Sequence, residues 1–332
     1  MMSKYRALSL VHLSTKGGHR EDYLRLLSEA LGLQPSVGKV TARTFIPLMG
    51  AKALLFGTLD DDVRGFVLVA LFRMMIGKKT AALFLRPQSC FHPAGVKTKI
   101  KHAIFSFFAK SRSVSVCTIL PFEVSPRNQE VAKYGLADPQ LWDREVLPFE
   151  PCAEFAQQLQ HAAGRRRIMA FIGTASPFKG VAQLCEMMAH PKWDDSVCVV
   201  FAGRVPDAVL PLIKRAEALG AIVFPRFVTN QELDAIYEVS DLIWAGYEPG
   251  YDQASGNFGR ALQSGKTPVV RKGTLIARLA QLISYPVVTV DFDDLKPAIT
   301  QFQGRSVASL QAPKDSIARW EEEFRAAMVA SL

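Results

Sequence analysis

The chain has 332 residues, 40 Lys+Arg against 31 Asp+Glu, a net charge of +9, and is 49% hydrophobic and 21% charged. This composition excludes a disordered or collagen-like chain, and the length suits two domains, each able to bury a core. Five scattered cysteines without paired spacing exclude a disulfide framework and a zinc site, and read as reduced core thiols of a cytosolic protein.

The elements alternate short β-branched runs with amphipathic helices, the pattern of parallel sheets covered by helices. Tyr5–Leu13 reads as a buried strand without a signal-peptide cleavage pattern, Ser14–Gly18 as a tight loop and Arg20–Leu31 as a helix. The stretch from Gly32 to Gly77 shows no clear pattern, and its apolar run Phe66–Gly77 is too short for a membrane span. Strands follow at Ala81–Leu85 and Val114–Leu120, with a helix at Val96–Lys110 between them. Pro148 to Arg167 reads as a linker, so the expected domains are 1–150 and 165–312. The second set has strands at Ile168–Ile172, Val197–Ala202, Ala221–Phe224, Asp241–Ala245, Thr267–Val270 and Val287–Val290. Its helices begin near Phe178, at Pro206, and at Thr229, where Glu232 three residues on completes a capping box. A final amphipathic helix, within 315–332, carries Trp320 and is expected to pack back on the first domain. Strand–helix repetition of this kind makes doubly wound sheets, whose ligands bind at the carboxyl ends of the strands.

Three segments follow strands and open helices. Lys16-Gly17-Gly18 offers backbone amides to a phosphate, or is only a tight turn. FIGTASPFKG, Phe171 to Gly180, puts Lys179 at a helix start, where an ammonium neutralises a diphosphate; most lysines are simply exposed. In Asp241–Val270 a strand ends in a loop with Glu248 and Asp252, then Ser255-Gly256-Asn257 opens a helix. Small residues there expose unpaired N–H groups, an anion site made of backbone, with Ser255 as the N-cap. Taken singly, Glu248 and Asp252 read as solvated loop carboxylates.

Together these segments resemble glycosyltransferases of the GT-B fold, especially the retaining family 4. FIGTASPFKG, VVFAGR, VFPRFVTNQEL, the Glu248–Arg260 segment and GKTPVV fall in the family's order and at near-family spacing. The resemblance implies two Rossmann-like domains facing a cleft, the first taking the acceptor and the second a nucleotide sugar, UDP- or GDP-linked. It implies no cofactor beyond that substrate and no metal. Lys179 and the amides of Ser255, Gly256 and Asn257 would hold the diphosphate, and Glu248 or Asp252 the sugar hydroxyls. Gly17 and Gly18 match the family's first-domain glycine loop. The chain departs from the family where Thr174 replaces an Arg, with Arg204 or Arg226 as the substitute cation, and where Arg260 falls at the second Glu of the E-x7-E pair. Retaining members need no separate enzyme base.

The charge is uneven. Residues 1–150 hold 21 basic and 12 acidic side chains and residues 151–332 hold 19 of each, with no carboxylate between Asp62 and Glu123. Such a patch attracts phosphate on nucleic acid, lipid or substrate. Within Val96–Lys110, Lys97, Lys99, Lys101 and His102 interleave with phenylalanines, either a core helix with solvated lysines or the surface that meets a membrane or acceptor. The expectation is a cytoplasmic glycosyltransferase, peripheral on an anionic membrane, acting on a saccharide or lipid-linked acceptor in surface polysaccharide or glycolipid synthesis. The alternative is a non-catalytic GT-B-like scaffold; a nucleic-acid binder lacks any recognition motif.

Overall fold

The computed structural model describes residues 8–15, 19–147, 150–302 and 310–332. The chain divides into two compact units, Met1–Leu147 with Ala318–Leu332, and Pro148–Ile317.

The first unit runs β1 (Leu10–Leu13), α1 (His19–Leu31), β2 (Gln34–Val37), α2 (Ala42–Gly50), β3 (Leu54–Phe56), α3 (Val63–Met75), β4 (Thr80–Phe84), α4 (Val96–Ala109), β5 (Val114–Thr118) and β6 (Tyr134–Gly135). All pairings are parallel, in the order β2-β1-β3-β4-β5-β6. β1, β3, β4 and β5 are fully buried and largely apolar, as strands covered on both faces must be, with His12, Thr80, Ser115 and Thr118 as buried polar members. Leu48 of α2, Phe66, Val69 and Ala70 of α3, and Phe105 and Phe108 of α4 share one core with Leu54, Phe56, Phe84 and Val116.

The unreadable stretch from Gly32 to Gly77 therefore holds two strands and two helices. β2 is a half-exposed edge strand of sequence QPSV, and α2 contains Pro47. α3 is apolar on both faces and shows no amphipathic period.

The second unit runs α5 (Ala153–Ala163), β7 (Arg167–Ile172), α6 (Val181–Ala189), β8 (Val197–Ala202), α7 (Leu210–Ala218), β9 (Ile222–Phe224), α8 (Asn230–Val239), β10 (Leu242–Ala245), α9 (Gly256–Gln263), β11 (Thr267–Arg271), α10 (Leu275–Leu282), β12 (Val288–Val290) and α11 (Lys296–Phe302). Its parallel sheet has the order β12-β11-β10-β7-β8-β9, the Rossmann arrangement. The stretch read as a linker contains α5, whose Phe155, Ala156, Leu159 and Ala163 enter a core with Leu233 and Ile236 of α8. α6 and α7 begin later than expected because short 3-10 turns, Pro177–Lys179 and Asp207–Val209, precede them. The capping box of α8 forms as its sequence dictates: Glu232 N donates to Thr229 Oγ1 at 3.2 Å and Thr229 N to the Glu232 carboxylate at 2.8 Å.

The last helix, α12 (Lys314–Ser331), joins the first unit from Ala318 onward. Phe324 packs on Trp142 with ring centroids 5.2 Å apart, and Arg325 donates to the Ala30 carbonyl at the end of α1.

Candidate functional site

In the second sheet the chain turns one way from β7 to β8 and β9, then returns to β10 on the other side of β7. Helices on either side of that reversal cover opposite faces, so a crevice opens at the carboxyl ends of β7 and β10. The two segments that leave there are knitted together. Glu248 N donates to the Phe178 carbonyl at 2.9 Å, and Trp244 Nε1 to the Lys179 carbonyl at 2.8 Å. Gly180, at φ +67°, lies so close to Gly246 that a Cβ would come 2.1 Å from its carbonyl oxygen, so no larger residue fits.

Two expected groups converge on one atom, the Ile172 carbonyl oxygen that ends β7. Lys179 Nζ lies 3.4 Å from it and Asn257 Nδ2 donates to it at 2.9 Å. Tyr237 supports Asn257 by donating to its Oδ1 at 3.3 Å. Ser255 caps α9: its Oγ accepts from Phe258 N at 3.2 Å and lies 2.7 Å from Tyr247 Oη. The N–H groups of Gly256 and Asn257 then stand in the first turn without intrahelical partners. Lys179 meets no carboxylate among the described residues, and burial lowers its pKa to about 8, so the ammonium is still charged at neutral pH. A desolvated cation beside a helix N-terminus is an arrangement that favours an anion.

The other expected donor residues of the second unit lie on several separate loops and helices. Thr174 is exposed, one residue beyond Gly173. Arg204 follows β8; its carbonyl accepts from Ala175 N at 2.8 Å and its guanidinium lies 5.7 Å from the Phe227 ring. Arg226 follows the edge strand β9 and is held by both Glu232 oxygens, at 2.5 and 2.9 Å, which matches its charge and leaves Arg204 the more open of the two. Asp252 Oδ1 accepts from Leu275 N at 2.8 Å, fixing the start of α10, and burial raises its pKa. The half-buried Glu248 carboxylate accepts no hydrogen bond among the described residues. Arg260 lies in the last turn of α9. Lys16, Gly17 and Gly18 lie outside the described residues.

In the first unit the expected acceptor or membrane residues separate. Lys97 and Lys99 are exposed on α4. Lys101 turns back, donating to Ser89 Oγ at 2.6 Å with its ammonium 5.0 Å from the Phe84 ring centre, and His102 Nε2 meets Glu130 at 3.0 Å. One cluster escaped the sequence reading: Asp61, past β3, receives Arg20 at 2.6 Å, Thr58 at 3.0 Å and Thr15 at 3.3 Å. The bond from Arg20 is the main reason its carboxyl sits below the usual range. Its members come from two distant stretches, 15–20 and 58–61, so only the fold unites them. Trp244, Tyr247 and Tyr237 were also missed; buried aromatics with a polar tip beside a loop are the signal they carry.

No family model matches the chain, and no curated protein matches it in sequence. Solved structures match it over nearly its whole length, and their class is that of the GT-B glycosyltransferases, whose fold this chain has. Anabaena HepE in complex with UDP-glucose superposes with a TM-score of 0.67 at 12% identity, over 98% of this chain and 97% of that one. The UDP-forming α,α-trehalose-phosphate synthase of Burkholderia vietnamiensis gives 0.56 at 12% identity, over 97% and 96%. WaaG, a glycosyltransferase of lipopolysaccharide biosynthesis, gives 0.53 at 12% identity, over 97% and 95%.

Proposed function

We propose that this protein is a glycosyltransferase that moves a sugar from a nucleotide-sugar donor, UDP-linked by preference, to a saccharide or lipid-linked acceptor with retention. The observation that carries the proposal is the desolvated Lys179 ammonium, matched by no carboxylate and converging with the start of α9 on Ile172. When the nucleoside diphosphate leaves, charge builds on its β-phosphate, and donors already aimed there lower the barrier. Lys179 and the amides of Gly256 and Asn257 do this. Glu248, with its carboxylate open, orients the sugar hydroxyls, while Asp252 is engaged by Leu275 and shapes the loop. Arg204 stands in for the cation missing at Thr174. The crystal complexes of HepE with UDP and UDP-glucose favour UDP as the nucleotide. WaaG's part in lipopolysaccharide synthesis favours a surface glycan or glycolipid product. The first unit takes the acceptor, with the enzyme cytoplasmic and peripheral on an anionic membrane; among the described residues no helix is long and apolar enough to cross one.

The test is calorimetric titration with UDP followed by UDP release from UDP-sugars. Micromolar binding and slow donor hydrolysis are expected. Absence of any nucleotide affinity would make the protein a GT-B-shaped scaffold.

A further inference from the structure

We infer that the outer face of α2, α3 and α4 is a docking surface whose apolar side chains enter the headgroup and acyl boundary of an anionic bilayer. The inference rests on the membrane reading above and moves its centre from the lysines of α4 to the apolar ridge of α3.

α3 is apolar on two sides. Phe66, Val69 and Ala70 face the core, while Leu68, Leu71, Phe72 and Met75, spaced i, i+3, i+4 and i+7, form an exposed stripe that Ile76 extends. Met75 is 68% exposed and Ile76 56%. A helix apolar all round is ordinarily buried all round. The neighbouring helices extend the ridge. The Phe45 ring of α2 meets Phe72 edge-on at 5.5 Å, beside exposed Ile46. Ser111, just past α4, contacts Met74 Sδ at 3.8 Å, bringing the ends of α3 and α4 together, and Val96, Ile100 and Phe107 form the exposed stripe of α4. Nine of the fifteen exposed large apolar side chains among the described residues thus lie on this one layer, so the exposure is a patch and not scatter.

Charge selects the occupant. α2, α3 and α4 contain no carboxylate. Arg43, Arg64, Lys97 and Lys99 are exposed around the ridge, whereas Arg73 is wholly buried and caps carbonyls of Leu48 and Ala51. Two copies of so basic a face repel each other. A bilayer with anionic headgroups answers both features at once, lipid for the ridge and negative charge for the rim.

The experiment is co-sedimentation with vesicles of phosphatidylglycerol and phosphatidylcholine, against phosphatidylcholine alone. Three chains are compared: the parent, Phe72→Ser/Met75→Ser/Ile76→Ser, and Lys97→Ala/Lys99→Ala. All five positions are exposed, and circular dichroism with UDP titration checks that each variant is folded. The inference expects the parent to bind only the anionic vesicles. The serine variant should lose about tenfold or more in partitioning, in low and high salt alike; the lysine variant should lose mainly the salt-sensitive part. As a second readout, Met75→Trp should gain blue-shifted emission that brominated lipid quenches. If the serine variant binds as the parent while the lysine variant does not, contact is purely electrostatic: the inference falls and the membrane reading stands. No vesicle binding by the parent overturns both. A parent dimer that the serine variant dissolves would assign the face to a second copy and overturn the inference.

Discussion

Lys179→Met separates a binding lysine from a structural one, because it should weaken ligand binding and stabilise the empty protein together. Burial holds the ammonium at about 8, against about 10.4 for an ordinary lysine. That gap corresponds to about 3 kcal/mol against folding the charged form, discounted to about 1–2 kcal/mol for the partial exposure of the side chain. The cost is present in full below pH 8 and is relieved as pH rises toward 10.4. Parent stability should therefore climb across that window, and the variant's should not. At pH 7 the variant's second unit should melt higher, by about 2–4 °C for each kcal/mol. Affinity for UDP should move the other way. A charge-assisted bond to phosphate contributes about 1.5–3 kcal/mol, so UDP should bind roughly ten- to a hundredfold more weakly. Parent affinity should also decline above about pH 8 as the ammonium loses its proton, and the variant's should stay flat there. Calorimetry and differential scanning calorimetry read these effects. A variant with parental UDP affinity and a parental pH decline would refute the reasoning.

Other expectations follow from the same contacts. Arg204→Ala should weaken UDP binding several-fold, whereas Arg226→Ala, whose guanidinium serves Glu232, should leave it within about twofold by calorimetry. Asp252→Ala removes the acceptor for Leu275 N and should cost about 1 kcal/mol in thermal unfolding, most of which Asp252→Asn should restore. Arg73→Met strips donors from the carbonyls of Leu48, Ala51 and Lys79 and should destabilise the first unit by about 3 kcal/mol in urea unfolding, with UDP affinity unchanged.

The second unit was legible because its signals are local. β7 to β10 are short apolar runs ended by Gly or Pro, and the Thr229–Glu232 box marks a helix start within four residues. α5 hid behind the Pro- and Arg-rich flanks of its segment, although Phe155, Ala156, Leu159 and Ala163 carry helical spacing. α3 defeated periodicity because its outer face is as apolar as its inner one. Lys179 and Ser255 could be chosen from chain position, since loops after strands gather at one edge of a parallel sheet. The meeting of Lys179 with Asn257 at the Ile172 carbonyl could not, because it depends on how β7 and β10 pair. Lys101 turns inward for a readable reason. It lies one turn before Phe105 on the inner stripe of α4, which draws its ammonium over aromatic rings and onto Ser89.

The central claim is that the carboxyl edge of β7 and β10 holds a nucleoside diphosphate. A crystal structure of the protein grown with UDP tests it most directly. The account predicts the β-phosphate about 3 Å from Lys179 Nζ and from the N–H groups of Gly256 and Asn257. UDP bound elsewhere, or a saturating soak that leaves Lys179 on Ile172 with no diphosphate beside it, would contradict the account.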